Sequence, residues 1–359
     1  MFRFPKPTSS VGGTPHAHHN CRWLPALLLA LSPAADAVPI HKDYAVIFSG
    51  GFDAANNHLR YYEETLRMWN ITIDTLGFDK DKVYVLFADG VDPAKDRTEG
   101  EEKTKDPAEQ VNSDWGAVTG AGGIVRSATS ADLQNTMNEV ARRITQDDSF
   151  YFWAFNHGYN AAYPKCPNAN SLAPNDDNSG IANTVNPDVC DPPAGPNPNT
   201  SDVSLVTWQG TITDANFAGL ATLIAAKNPK GEAYAFAECF SEGMVDNLFP
   251  APHRFAAWAA SQDECSLGKA WANAWANGLE MGMTSTFELG LFAAFTDPKC
   301  CGPGKNKETP GFMGDDFDII TNEPIFPIPE PPAALLLVAG ITAMRSLKRR
   351  CARLDQPLL

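Results

Sequence analysis

Long hydrophobic runs, basic residues and paired cysteine motifs are all scarce in this chain of 359 residues, and each scarcity removes a class of function. The apolar stretch nearest the C-terminus, residues 333–344, has 12 residues, against the ~20 of a comfortable bilayer span. Basic residues number 28 against 43 acidic ones. Between the terminal segments, up to Pro331, the count is 20 against 41, a net charge near −21. A phosphate backbone is repelled by such a body, so nucleic acid is excluded as a partner. None of the eight cysteines forms a C-x-x-C pair, which argues against a structural zinc site and leaves no metal to expect. No internal repeat is evident.

Both ends read as addresses. Near the start, "CRWLPALLLALSPAADAVPI" offers a charge at Arg22, a short apolar core and the small-residue site Ala35-Asp36-Ala37. This is a signal-peptide pattern over residues 1–37, with cleavage expected after Ala37. At the other end, "PIPEPPAALLLVAGITAMRSLKRRCARL" places Pro329-Glu330-Pro331 before the apolar segment, with Arg345, Lys348, Arg349 and Arg350 directly after it. A basic flank of this kind fits the cytoplasmic side of a short transmembrane segment. The order over residues 326–359 resembles the PEP-CTERM sorting signals of Gram-negative bacteria. That resemblance implies export to the cell envelope or surface, with a membrane sorting transpeptidase acting on the tail.

Cysteine use agrees with an oxidising compartment. The body holds Cys166, Cys190, Cys239, Cys265, Cys300 and Cys301. A bridge between Cys166 and Cys190 would close a Pro/Asn/Asp-rich loop, and Cys265 could pair with Cys300 or Cys301. If Cys239 stays a thiol, five others remain and one is left over.

Residues 38–325 alternate strand and helix. Buried strands are expected at 44–49, 82–90, 149–158, 231–238 and 254–261. Leu59, Tyr62, Leu66, Trp69, Ile73 and Leu76 recur three and four apart and predict one apolar helix face. A second helix carries Leu133, Met137, Ala141 and Ile144 inward behind a cap at Thr129 or Ser130. A third has Phe217, Leu220 and Ile224 behind Thr213 or Asp214. A Trp-rich helix surrounds Trp271, Trp275 and Leu279. "SLVTW" at 204–208 reads as a short edge strand. Residues 92–127 and 160–202 lack a period and read as insertions. The order predicts a three-layer α/β/α fold with a mostly parallel sheet.

Two reactive side chains fall at matching places. His157 follows the strand that begins at Ser149, and Cys239 follows the strand in "GEAYAFAECFSEGM" (231–244). A helical crossover between them lets the strands lie parallel and adjacent. At ~4.8 Å strand spacing, the two side chains then meet at the carboxyl edge, where open α/β sheets bind ligands. That is Cys–His reach for nucleophilic catalysis. Gly158 lets backbone approach closely, and the N–H groups of Gly158 and Cys239 could hold an oxyanion. Against this stand the plain alternatives, a capping histidine and an inert buried thiol.

"FYFWAFNHG" and "YAFAECFSEGM" resemble the His-Gly and Cys motifs of clan CD cysteine peptidases, the caspase and legumain fold. "YAVIFSGGFDAANNHLRYYEETLRMW" is similar to the opening segment of the legumain (C13) family, and "AAWAASQDECSLG" to the segment past its nucleophile. The resemblance spans roughly residues 44–290. It implies Cys239 as nucleophile, His157 as general acid/base, Gly158 and Cys239 as oxyanion donors, and Asn57 as the supporting asparagine, with Asn56 an equal candidate. It also implies a side-chain pocket from His58, Arg60, Asp53, Glu238, Ser261 and Asp263. The chain departs from the family in two places. Glu238 adjoins the nucleophile instead of standing two residues before it, and His58 and Arg60 are separated and reversed.

The expectation is therefore an exported cysteine endopeptidase acting on protein or peptide substrates without a cofactor. A transpeptidase outcome of the legumain type, or a non-catalytic caspase-fold module binding at the cell surface, are the competing readings.

Overall fold

The computed structural model describes residues 43–100, 106–160, 203–262, 264, 266, 269–297 and 308–315. Residues 1–37, expected to be a signal peptide, nearly all of the expected insertion 160–202, residues 326–359, expected to be a sorting tail, Asp263, and Cys166, Cys190, Cys265, Cys300 and Cys301 lie outside the described residues. The elements run β1 (Tyr44–Ser49), α1 (Leu59–Asn70), β2 (Val83–Phe87), β3 (Arg97–Thr98), β4 (Gln110–Val111), α2 (Gly116–Gly120), β5 (Ile124–Arg126), α3 (Ser130–Arg143), β6 (Ser149–Ala154) and β7 (Gly158–Asn160). After the insertion come β8 (Val203–Thr207), β9 (Gly210–Thr213), α4 (Asp214–Ala225), β10 (Gly231–Phe236), β11 (Arg254–Trp258), α5 (Lys269–Glu280), α6 (Thr286–Thr296) and β12 (Gly311–Gly314).

Seven strands make the central sheet in the order β12-β11-β10-β6-β1-β2-β5. All pairings are parallel except the edge pair β11–β12. The central strands are apolar on both faces because both faces are covered. Tyr44, Val46, Phe48, Phe150, Phe152, Tyr234 and Phe236 point to a layer with α3 and α4. Ala45, Ile47, Tyr151, Trp153, Ala233 and Ala235 point to a layer with α1, α5 and α6. The three-layer α/β/α fold is thus the fold of the chain.

Local signals place the helices. Thr129 and Thr213 accept from the N–H of Asp132 and Asn216, as side-chain caps should. Leu133, Met137, Ala141 and Ile144 are buried, as are Phe217, Leu220 and Ile224.

Three features differ from the sequence reading. The buried face of α1 is wider than the spacing predicts: Trp69 and Leu76 are buried and Tyr62, Leu66 and Ile73 pack partly buried against the same core, and Tyr61, Thr65 and Met68 join them. Glu64 is buried there too, paired with Arg67 and Lys269. The 92–127 excursion is not wholly outside the sheet: its last part, β5, joins the edge beside β2. "SLVTW" becomes β8, the middle of a separate antiparallel sheet with β7 and β9. The tight turn at Trp208-Gln209, with Gln209 at φ 58, favours local pairing with β9 over docking on the large sheet.

Candidate active site

Strands β6 and β10 are direct neighbours, in register from Gly231↔Ser149 to Phe236↔Ala154. The N–H of Ala237 continues the ladder to the Ala154 carbonyl at 2.9 Å. The two chains therefore leave the sheet side by side, one toward His157 and the other toward Cys239. A Cβ on Gly158 would stand 1.8 Å from the Cys239 carbonyl oxygen. Only glycine allows that approach, and it fixes the His-Gly segment against the backbone of the cysteine.

The ladder to β8 also sets the direction of the Gly158 N–H. Val206 donates its N–H to the His157 carbonyl at 3.3 Å, and Gly158 faces Leu205 one step further along. Bonded and non-bonded pairs alternate along an antiparallel ladder, so the Gly158 N–H points away from β8. On the other side, Phe240 adopts φ 60, a left-handed conformation uncommon for a bulky residue. It turns the chain sharply just past Cys239 into a short 3-10 helix, Ser241–Met244. That turn is pinned: Phe240 N–H donates to the Glu264 carbonyl at 2.8 Å, and the Ser241 hydroxyl oxygen accepts from the N–H groups of Ala259 and Ala260.

Cys239 carries a thiol, 6% exposed, whose Sγ lies 3.7 Å from the Ser266 carbonyl oxygen. His157 is 7% exposed. Its Nε2 lies 2.9 Å from the carbonyl oxygen of Asn56. A carbonyl only accepts, so this bond places the hydrogen on Nε2 and leaves Nδ1 as the basic nitrogen. Asn56 is held in turn by Asp53, whose Oδ1 accepts from its N–H at 2.9 Å and its Nδ2 at 2.7 Å.

The other expected residues are placed as follows. The Asn57 side chain is fully buried and turns away from the imidazole, donating Nδ2 to the Asp96 carbonyl at 2.8 Å. The imidazole's partner from this loop is the backbone of Asn56. Asp53 braces that backbone. His58 packs its ring 5.7 Å from that of His157, edge-on. Arg60 lies over Tyr61, 4.8 Å from the ring centroid. Ser261 stands half-buried in the loop past β11. Glu238 is fully buried, and no hydrogen bond of normal geometry reaches either carboxyl oxygen. Burial pushes its carboxyl well above the ordinary range. The backbone N–H groups of Glu238 and Ala237 oppose this only weakly, and the neighbouring Cys239 adds to it. Burial thus favours the protonated form of Glu238 beside the thiol.

Two site residues escape sequence reasoning. Asn156 accepts from Gly51 N–H at 2.9 Å and donates to the Val206 carbonyl, tying the ends of β1, β6 and β8 together. Its signal was a lone amide at the end of an apolar run. Tyr61 places its hydroxyl 3.4 Å from both imidazole nitrogens of His157. It sits on α1 one residue before Tyr62, in a register that the three-and-four spacing did not include. Among the described residues no cluster of His, Cys, Asp and Glu could hold a metal ion.

No family model matches the chain, and no curated protein matches it. Among solved structures, it is similar to protein GSU0716 from Geobacter sulfurreducens, at 12% identity and a TM-score of 0.41 over 76% of this chain and 92% of that one. A likeness at that level carries no argument about activity.

Proposed function

We propose that the chain is a cysteine endopeptidase of the caspase and legumain type, exported to the cell envelope. The observation that supports this best is the pairing of β6 with β10, which delivers a His-Gly and a cysteine side by side at the carboxyl edge. Cys239 is the nucleophile. Its proton passes to Nδ1 of His157, while Nε2 stays bonded to the Asn56 carbonyl. The thiolate attacks the scissile carbonyl, and the oxyanion is met by the outward N–H of Gly158 and that of Cys239. His157 then protonates the leaving amine, and water, with its proton taken by the same nitrogen, hydrolyses the thioester. The residues around the pair supply orientation, and no step calls on a cofactor. On this reading the N-terminal segment directs export, and a sorting transpeptidase acts at Pro329-Glu330-Pro331.

Exposing a denatured proteome digest to wild type, Cys239→Ala and His157→Ala tests the reading. New N-termini are expected with wild type alone, because either loss removes roughly three orders of magnitude or more of rate. The same cleavages from all three proteins would end the proposal.

A further inference from the structure

Asn156 is buried just past the end of β6, directly before His157, and its amide spans two backbones. Its Oδ1 accepts from Gly51 N–H at 2.9 Å, and its Nδ2 donates to the Val206 carbonyl. The partners fix which amide atom is which, since an N–H only donates and a carbonyl only accepts. Val206 in turn donates its N–H to the His157 carbonyl at 3.3 Å. The chains are in close contact here: a Cβ on Gly50 would stand 2.3 Å from the Val206 carbonyl oxygen. From Gly51 the bonds lead on toward the imidazole. The Gly51 carbonyl accepts from Asp53 N–H at 2.9 Å, and the Asp53 carbonyl and Oδ1 accept from Asn56 N–H at 3.1 and 2.9 Å. The Asn56 carbonyl then accepts from Nε2 of His157 at 2.9 Å. The path that leaves residue 156 through its side chain thus returns to the side chain of residue 157.

We propose that Asn156 is a positioning residue for the reaction: it sets the Asn56 carbonyl where that oxygen holds the His157 ring, and so aligns the ring for Cys239. This deepens the catalytic reading above and rests on it. The backbone of His157 is fixed by β6 and β8, but the ring still turns about its side-chain bonds. Its orientation comes from the acceptor at Nε2, and that acceptor sits on a loop outside the sheet. A loop carbonyl is only as well placed as its loop. Gly51, at φ 66, allows the turn that starts this loop but adds no stiffness of its own. Asn156 supplies the tie. The β8–β9 turn braces the same loop from elsewhere, through Gln209 N–H on the Phe52 carbonyl at 2.7 Å. A side chain at 156 must both accept and donate, which an amide does at any pH and a carboxyl only while protonated.

That difference supplies the test. Iodoacetamide labelling of Cys239 is measured by peptide mapping at pH 5 and pH 8, on the full chain. Wild type, Asn156→Asp, Asp53→Ala, His157→Ala and Asn156→Asp combined with His157→Ala are compared. At pH 5 the introduced carboxyl, buried against the Val206 carbonyl, holds its proton and makes both bonds, so labelling should match wild type to within about twofold. At pH 8 it is ionised, the donor is lost, and labelling should fall roughly tenfold below wild type. Charge alone predicts the reverse, because a carboxylate one residue from the imidazole favours the imidazolium and with it the thiolate. Asp53→Ala, at a half-buried position, opens the circuit at both pH values and should slow labelling at each. On the His157→Ala background, Asn156→Asp should change nothing further, whereas a residue that served only the fold would alter both backgrounds alike. Wild-type labelling by Asn156→Asp at pH 8, or an equal change on both backgrounds, overturns the proposal. If Asn156→Asp does not fold, Asp53→Ala decides, and labelling equal to wild type overturns it. His157→Ala labelling as fast as wild type ends the catalytic reading instead; a slow His157→Ala beside an unaffected Asn156→Asp ends the positioning role alone.

Discussion

Asp96 is fully buried, and its Oδ1 accepts from both the N–H and the hydroxyl of Ser113, at 2.8 and 2.9 Å. Its own carbonyl holds the Asn57 amide, and the next turn of chain holds the Asn57 carbonyl through Thr98 N–H at 2.8 Å. The loop that offers Asn56 to His157 is therefore anchored on this residue. Burial pushes the Asp96 carboxyl up to about 7; Asp89 adds to the rise, while the Ser113 bonds and Arg97 oppose it. Asp89 is pushed up to about 6 by burial and by Asp92. Both native carboxyls hold protons more tightly than an unfolded aspartate, near 3.9. Their stabilisation is complete below about pH 4 and is lost as pH rises through about 7. Wild type should melt at lower temperature at pH 8 than at pH 5. Asp96→Asn keeps the acceptor for Ser113 and removes the charge, so it should shrink that difference by about 1–3 kcal/mol. Thermal melts at the two pH values decide it, and parallel behaviour of the two proteins would remove Asp96 from the account. At this scale the sequence revealed what side-chain type reveals. His157 and Cys239 were legible because their chemistry is rare and each followed a strand. Asn56 acts through its carbonyl, which every residue has, and so nothing in its identity could mark it over Asn57.

At the scale of elements, the opposite end of the sheet is held by charge. Arg254 opens β11 and Glu232 lies near the start of β10, their side chains 2.7 Å apart and 4% and 2% exposed. Arg254 also donates to the carbonyls of Leu248 and Ala221, at 2.6 and 3.3 Å, so it joins β11 to α4 and to the 3-10 turn before the strand. Tyr234 donates to the same Glu232 oxygen at 2.7 Å. Burial raises the Glu232 carboxyl, and Arg254 and Tyr234 pull it back. Removing the arginine alone leaves a buried acid without its counter-charge, which costs about 3–5 kcal/mol. Arg254→Met should therefore unfold at clearly lower urea, while Arg254→Met with Glu232→Gln should recover a good part of the loss. No recovery in the double variant would mean that the carbonyl contacts, not the ion pair, dominate. Neither residue stands out in the sequence, where the strands at 231–238 and 254–261 are marked by their apolar content. Strands of five or six residues with unbroken apolar patterns were legible. β5, β7 and β9, with three, three and four residues, were too short to show a period against their surroundings, whereas β8 was legible as a strand but not in its pairing. The α1 face is wider than the spacing shows, because Tyr61, Thr65 and a paired Glu64 are buried beside Trp69, and hydrophobic spacing does not register polar or paired side chains.

For the whole molecule, the question is whether the terminal apolar segments have any place in the packed body. Among the described residues, the sheet is covered on one face by α3 and α4 and on the other by α1, α5 and α6. Each face is filled by strand side chains meeting helix side chains at zero or near-zero exposure. The five central strands are buried along their whole length and leave no sheet surface there for a further helix, and burying an apolar side chain yields about 1.5–3 kcal/mol only where such a surface exists. The two terminal segments lie outside the described residues, whose core runs from Tyr44 to Phe312. A protein trimmed to residues 38–325 should therefore fold, remain soluble and keep the unfolding midpoint of the full chain to within about 0.5 kcal/mol. Its Cys239 should label with iodoacetamide at the rate of the full chain, since the strand ends, Asn56 and Gly158 are all retained. The comparison needs circular dichroism, a urea melt and the same peptide mapping. Aggregation of the trimmed protein, or a midpoint lower by several kcal/mol, would mean that one terminal segment belongs to the fold and that its reading as an address was mistaken.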